Sequence, residues 1–186
     1  MIDRVVVIIF VFLTGIPVFS QDKRENADKN ILRLPPSAFV GIPGHITRFL
    51  ERRNCSIPQT YLYKSQHNVA KDQFSRVGQY DWAVLCSVNR ISSILVFWNG
   101  SIRNVSEIAT ARDDAYLQTI SSDGKIGFSR MISAVDKRYI EDKFKDYGGS
   151  KPPPAKHQGI SDAFAEKASE IHYFYKRKWL ALQGAD

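Results

Sequence analysis

Asp81-Trp82-Ala83-Val84-Leu85-Cys86-Ser87-Val88-Asn89-Arg90-Ile91-Ser92-Ser93-Ile94-Leu95-Val96-Phe97-Trp98-Asn99-Gly100 is the stretch whose reading decides the fold. Two apolar runs, 81–88 and 91–98, are separated only by Asn89-Arg90, a plausible two-residue turn that makes them a β-hairpin. In the first run Trp82, Val84, Cys86 and Val88 share one face, and Ala83, Leu85 and Ser87 share the other. Both faces are apolar or small, as expected of central strands covered on both sides. Asn99-Gly100 ends the second strand.

Working outward, 115–120 and 126–135 read as another antiparallel pair around Ser121-Ser122-Asp123-Gly124. A helix follows from the N-cap Asp136 through Tyr139, Ile140, Phe144 and Tyr147, and Gly148-Gly149 stops it. Lys151-Pro152-Pro153-Pro154 forms a stiff loop, and 170–175 with 179–182 make a last hairpin around Lys176-Arg177-Lys178. Upstream, Ile46, Phe49 and Leu50 mark one face of a helix that begins after Pro43 and ends at Arg52-Arg53, just before Cys55. Strands, helix and more strands define an α+β class: a single domain over residues 35–186, with an antiparallel sheet and about two helices.

Residues 1–20 read as a secretory signal peptide. Arg4 begins it, Val5–Leu13 is its apolar centre, Pro17 breaks it, and Val18-Phe19-Ser20 fits a cleavage site before Gln21. A retained anchor is the alternative, but the 15 residues from Val5 to Phe19 fall short of the roughly 20 that span a bilayer. Residues 21–34 are polar and without periodicity, and are expected to form a flexible lead-in. The expected location is therefore secreted or periplasmic. There the default for Cys55 and Cys86 is a disulfide; the other reading makes one of them a nucleophile paired with a histidine.

With 186 residues, 26 Lys+Arg against 19 Asp+Glu and a net charge of +7, the chain is of ordinary globular size with a basic balance. The charge is dispersed, and its longest run is Lys176-Arg177-Lys178. That pattern gives no basic stripe for nucleic acid. It leaves Lys176, Arg177 and Lys178 as candidate contacts for an anionic polymer.

The segment Gln73-Phe74-Ser75-Arg76-Val77-Gly78-Gln79-Tyr80-Asp81-Trp82-Ala83-Val84-Leu85, followed by Ile94–Gly100, resembles one FG-GAP-type propeller repeat. In that family the loop binds calcium. Here Gln73, Ser75 and Val77 stand at ligand positions and only Asp81 is a carboxylate, so the resemblance implies a hairpin entry loop without the metal. Asn54-Cys55-Ser56-Ile57-Pro58-Gln59, Asp81–Ser87 and the ending from Trp179 to Asp186 resemble uncharacterised secreted bacterial proteins, which implies export and no particular activity.

Two cysteines cannot build a four-thiolate site, and His45, His67, His157 and His172 are not spaced as metal ligands, so no metal is expected. Nucleotide loops and serine-hydrolase elbows are missing, and no cofactor is expected. Ser122-Asp123-Gly124-Lys125 matches the S-x-x-K pattern, but between two strands it reads as a turn. The expected function is a non-catalytic binding or interaction module of the cell envelope or extracellular space, whose partner is an envelope protein or an anionic polymer. The alternative is a small hydrolase acting on envelope polymers, with His157 as general base beside Asp162 or Glu166.

Overall fold

A computed structural model describes residues 18–185. Helix α1 (Val18–Lys29) and the short strand β1 (Arg33–Leu34) precede helix α2 (Gly44–Arg52) and β2 (Ile57–Pro58). Strands β3 (Val69–Asp72), β4 (Asp81–Val88), β5 (Ile91–Phe97) and β6 (Val105–Arg112) form one antiparallel meander in that order. A 3₁₀ turn, Asp113–Tyr116, leads to the small pair β7 (Leu117–Thr119) and β8 (Ile126–Phe128). Strand β9 (Arg130–Val135), helix α3 (Lys137–Tyr147) and strands β10 (Gly159–Phe164), β11 (Ala168–Tyr175) and β12 (Lys178–Gln183) complete the chain. The four strands form a second meander, ordered β12-β11-β10-β9.

The α+β class holds, with three helices and four antiparallel sheets among the described residues rather than one sheet and about two helices. The β4–β5 hairpin matches its alternation. Ala83, Leu85, Ile94 and Val96 face inward onto Ile132 and Ile160 of the second meander. Val84, Cys86, Leu95 and Phe97 face outward onto Ile46 and Leu50 of α2. The outer face of the second meander is covered in turn by α3, through Ile140 against Ile171, Tyr173 and Leu182. The layers therefore run helix, sheet, sheet, helix, and each apolar sheet face is buried as the hydrophobic effect requires.

Asn89 and Arg90 take the positive φ values of 51° and 63° that a two-residue hairpin turn demands, and Lys176 and Arg177 repeat the geometry between β11 and β12. Asp136 caps α3 by accepting from the Tyr139 N–H at 2.8 Å. Cys55 and Cys86 are disulfide-bonded with their Cα atoms 5.4 Å apart, which ties the end of α2 to the centre of the first sheet.

Two sequence expectations need correction. Residues 21–34 are not a flexible lead-in. Through Lys29 they belong to α1, and Ala27 and Ile31 pack into the intersheet core. Arg33 then bonds Asp28 at 3.0 Å and the fully buried Asp113 at 2.8 Å. Of the expected signal peptide, residues 1–17 lie outside the described residues, while Val18–Ser20 open α1. The run 126–135 is not one strand. It breaks at buried Ser129, so that β8 pairs with β7 while β9 joins the second large sheet. Strands β3, β6 and β10 carry too few large apolar residues to announce themselves, and tertiary pairing makes them strands.

Candidate functional site

The register of the second meander brings four ionisable side chains to one inward face. Arg130 lies opposite Phe164, Asp162 opposite Glu170, and Ile160 opposite His172. Cross-strand partners share a face, so Arg130 and His172 are the diagonal neighbours of Asp162, and Glu170 is its direct one.

Arg130 is fully buried. Its Nε and Nη2 donate to the two oxygens of Asp162 at 3.0 and 2.7 Å. Its Nη1 donates to the Ser92 carbonyl and hydroxyl at 2.9 Å each, and Nη2 also donates to the carbonyl of Ala109. Every guanidinium N–H is thus engaged, and the plane lies 4.7 Å from the ring centre of Tyr116. The Ala109 contact comes from a β-bulge. The β5–β6 register shifts between Ser92 and Ile94, and Ala109 adopts φ 53°, a strained value for alanine. The bulge sits where the first sheet supplies an acceptor to Arg130.

Burial raises the carboxyl pKa of Asp162, but His172 and the Arg130 guanidinium outweigh it and hold the group below its ordinary range. Burial lifts the Tyr116 phenol, and the charge of Asp162 adds to the effect. His172 is nine-tenths buried between two carboxylates. Its Nδ1 lies 3.3 Å from Glu170 Oε1 and its Nε2 lies 3.7 Å from Asp162 Oδ2. That Nε2 is buried and has no hydrogen-bond partner.

Asp162 and Glu170 open onto a cleft of about 670 Å³ at the margin of the sandwich. Tyr116 and Ala111 bound it from the first sheet's side, Ala181 and Leu182 of β12 from the other, and Gly149 and Ser150 from the loop after α3. Its volume is that of a small-molecule site.

The expected catalytic set is not brought together. His157 stacks flat on Tyr173, with ring centres 4.5 Å apart, and its Nδ1 lies 3.0 Å from the Gln158 carbonyl. Asp162 is committed to Arg130, and Glu166 accepts from the Tyr61 hydroxyl at the β10–β11 turn. Lys176, Arg177 and Lys178 sit at the closed end of the β11–β12 hairpin, whereas the cleft lies at the open end, where Glu170 pairs with Gln183. Cys55 and Cys86 are both in the disulfide, which removes the thiol-nucleophile alternative. Ser122 and Lys125 occupy the β7–β8 turn, which is closed by Ser121 and Asp123.

The loop at 73–81 also uses its chemistry internally. Asp81 is fully buried. It accepts the backbone N–H groups of Phe74, Ser75 and Asn99 at 3.1, 3.0 and 2.7 Å and the Gln79 side-chain amide at 2.7 Å. Four neutral donors do here what a cation would do for a carboxylate-rich loop. Among the described residues no group of three or more His, Cys, Asp or Glu side chains is placed to hold a metal ion. Sequence reading passed over Arg130, Glu170 and Tyr116. The one signal that identifies them is register: once β10 is recognised, Asp162 falls beside Glu170.

No protein-family model, curated protein or solved structure matches the chain, so the site is read from its own chemistry.

Proposed function

We propose that the chain is an exported, non-catalytic binding module whose ligand occupies the cleft between the two four-stranded sheets. The observation that carries this reading is the state of Asp162. Both of its oxygens accept from Arg130 on the wall of a 670 Å³ cleft, which makes it a fixed negative pole rather than a proton carrier. Among the described residues no hydroxyl or thiol is hydrogen-bonded to Asp162 or His172, so the nucleophile–base pair of covalent catalysis is not assembled. Export is supported by the 1–20 pattern and by the Cys55–Cys86 bond. The carboxylates at the cleft argue against an anionic polymer as its occupant. The test is a titration of the ¹⁵N-labelled protein with a small-molecule fragment set. The expected result is amide shifts gathered on Tyr116, Glu170 and Ala181; a silent cleft, with shifts scattered over the surface, contradicts the reading.

A second reading keeps the hydrolase but moves its base from His157 to His172, because His172 stands between Asp162 and Glu170. It requires water as the nucleophile. Turnover of an envelope polymer that disappears in His172→Gln, with the fold intact, establishes it; turnover unchanged in that variant removes it.

A further inference from the structure

We propose that the end of the sandwich opposite the cleft is a docking surface for the face of an anionic phospholipid bilayer. The proposal goes beyond the cleft reading and does not depend on it.

The topology gathers at this end what the sequence scatters. Strands β3 and β5 stop here and β4 and β6 start here, so the loops 73–80 and 98–104 lie together. Asp81 joins them by accepting the N–H groups of Phe74 and Asn99. The 39–44 loop is held against them by Gly41, which packs on the Trp82 indole. His45 adds to this hold, its Nε2 lying 2.7 Å from the Gly100 carbonyl. Trp98 brings in the β11–β12 turn, with its ring centre 4.7 Å from that of Phe174 and 5.5 Å from that of Trp179.

The charge of the gathered segments is of one sign. Residues 39–44, 73–80, 98–104 and 176–178 contain Arg76, Arg103, Lys176, Arg177 and Lys178, and no Asp or Glu. All of these cations are exposed. Lys71 adds another, 5.5 Å from the ring centres of both Tyr80 and Trp82. The acids that border the loops are turned to the backbone. Asp72 accepts from the Gln73 N–H, Asp136 caps α3, and Asp81 is fully buried among its four donors. Asp162 and Glu170 stand at the other end of the β11–β12 hairpin, so an anionic surface meets the basic end and leaves the cleft facing away.

The apolar side chains among these cations select a bilayer over a soluble polyanion. Val40 and Val77, exposed by 99% and 70%, are the two most exposed large apolar side chains among the described residues, and Tyr80 beside them is 53% exposed. A soluble polyanion leaves such side chains in water. A bilayer buries valine below its headgroups, seats tyrosine and tryptophan at headgroup level, and pairs Lys and Arg with phosphate.

The experiment is co-sedimentation of the full chain with phosphatidylcholine vesicles, with and without about one-third phosphatidylglycerol. Binding to the anionic vesicles is expected to be at least about tenfold tighter than to the neutral ones. The triple variant Lys176→Gln/Arg177→Gln/Lys178→Gln is expected to weaken it about tenfold or more. All three side chains are exposed, so the fold is kept, and an unchanged far-ultraviolet spectrum verifies that. The double variant Val40→Ser/Val77→Ser keeps every charge. It is expected to bind anionic vesicles about fivefold more weakly, while binding to inorganic polyphosphate, a soluble polyanion, stays as in the wild type. No binding to anionic vesicles overturns the proposal. Equal binding to both compositions does so too, since an apolar leader such as Val5–Leu13 alone gives that result. Vesicle binding that survives the triple variant removes this end of the molecule from the contact. Vesicle affinity unchanged by the valine substitutions makes the partner a soluble polyanion and overturns the bilayer.

Discussion

The two four-stranded meanders have the same strand order and each carries a helix on its outer face, yet they solve their interiors differently. The first is apolar on both faces of its central hairpin, is closed by a disulfide, and satisfies its buried Asp81 with four local donors. The second places an arginine, two carboxylates and a histidine on its inward face, and leaves the histidine Nε2 without a partner beside a cleft. Local sequence can satisfy a buried acid completely, as Asp81 shows. In the second half the ion pair of Asp162 with Arg130 stands on the wall of a cleft, whereas Asp81 is enclosed by its own loop, and that difference in access is what separates the two buried acids.

The largest effect is expected at the ion pair of the second meander. Asp162→Asn leaves Arg130 buried without its counter-charge and is expected to cost about 3–5 kcal/mol in chemical denaturation. The same variant carries a pH signature. The folded carboxyl is held below its ordinary value, so the unfolded chain takes up the proton first as pH falls. The stability that Asp162 contributes is full above the unfolded value of about 3.9 and is lost as pH drops through the lower folded value. Between about pH 5 and pH 2 the stability of Asp162→Asn is accordingly expected to fall less steeply than that of the wild type.

Next comes the disulfide of the first meander. Replacing both Cys55 and Cys86 with serine opens a 31-residue separation and is expected to cost about 3–4 kcal/mol. The fragment response of Tyr116 and Glu170 is expected to survive, because the cleft is bounded chiefly by the other half. Loss of that response on a folded variant breaks the distinction between scaffold and site. The smallest effect is at a helix end: Asp136→Ala removes the cap of α3 and is expected to cost about 1 kcal/mol by thermal melting.

The sequence made the first meander's hairpin and α2 legible because their apolar periodicity is strong and their turn and cap residues agree with it. Trp82, Val84, Cys86 and Val88 do share the outward face, packed toward α2. The second meander was only half legible. Its last hairpin and the Asp136 cap are readable, but β10 reads Gly-Ile-Ser-Asp-Ala-Phe and offers little alternation. A strand whose inward positions hold Ile160, Asp162 and Phe164 breaks the apolar pattern at the residue that matters for the site. Helix α1 was hidden for a related reason. Its sequence is polar, and it is held by Ala27, Ile31 and the Arg33 contacts to Asp28 and Asp113 rather than by a stripe of large side chains. His157 drew attention through proximity in sequence to Asp162, but β10 carries the acid inward while His157 stays stacked on Tyr173.

The central claim is that the Arg130–Asp162 pair is kept for the cleft and not for stability. The double variant Arg130→Met/Asp162→Leu tests it most directly, with guanidinium-chloride denaturation and the small-molecule fragment titration measured on the same sample. Replacing a buried ion pair with apolar side chains is often close to neutral, so stability is expected within about 1 kcal/mol of the wild type, with the fragment response at Glu170 weakened or lost. A double variant that is destabilised by about 3 kcal/mol or more, or one whose cleft responds to the fragments as the wild type's does, contradicts the account.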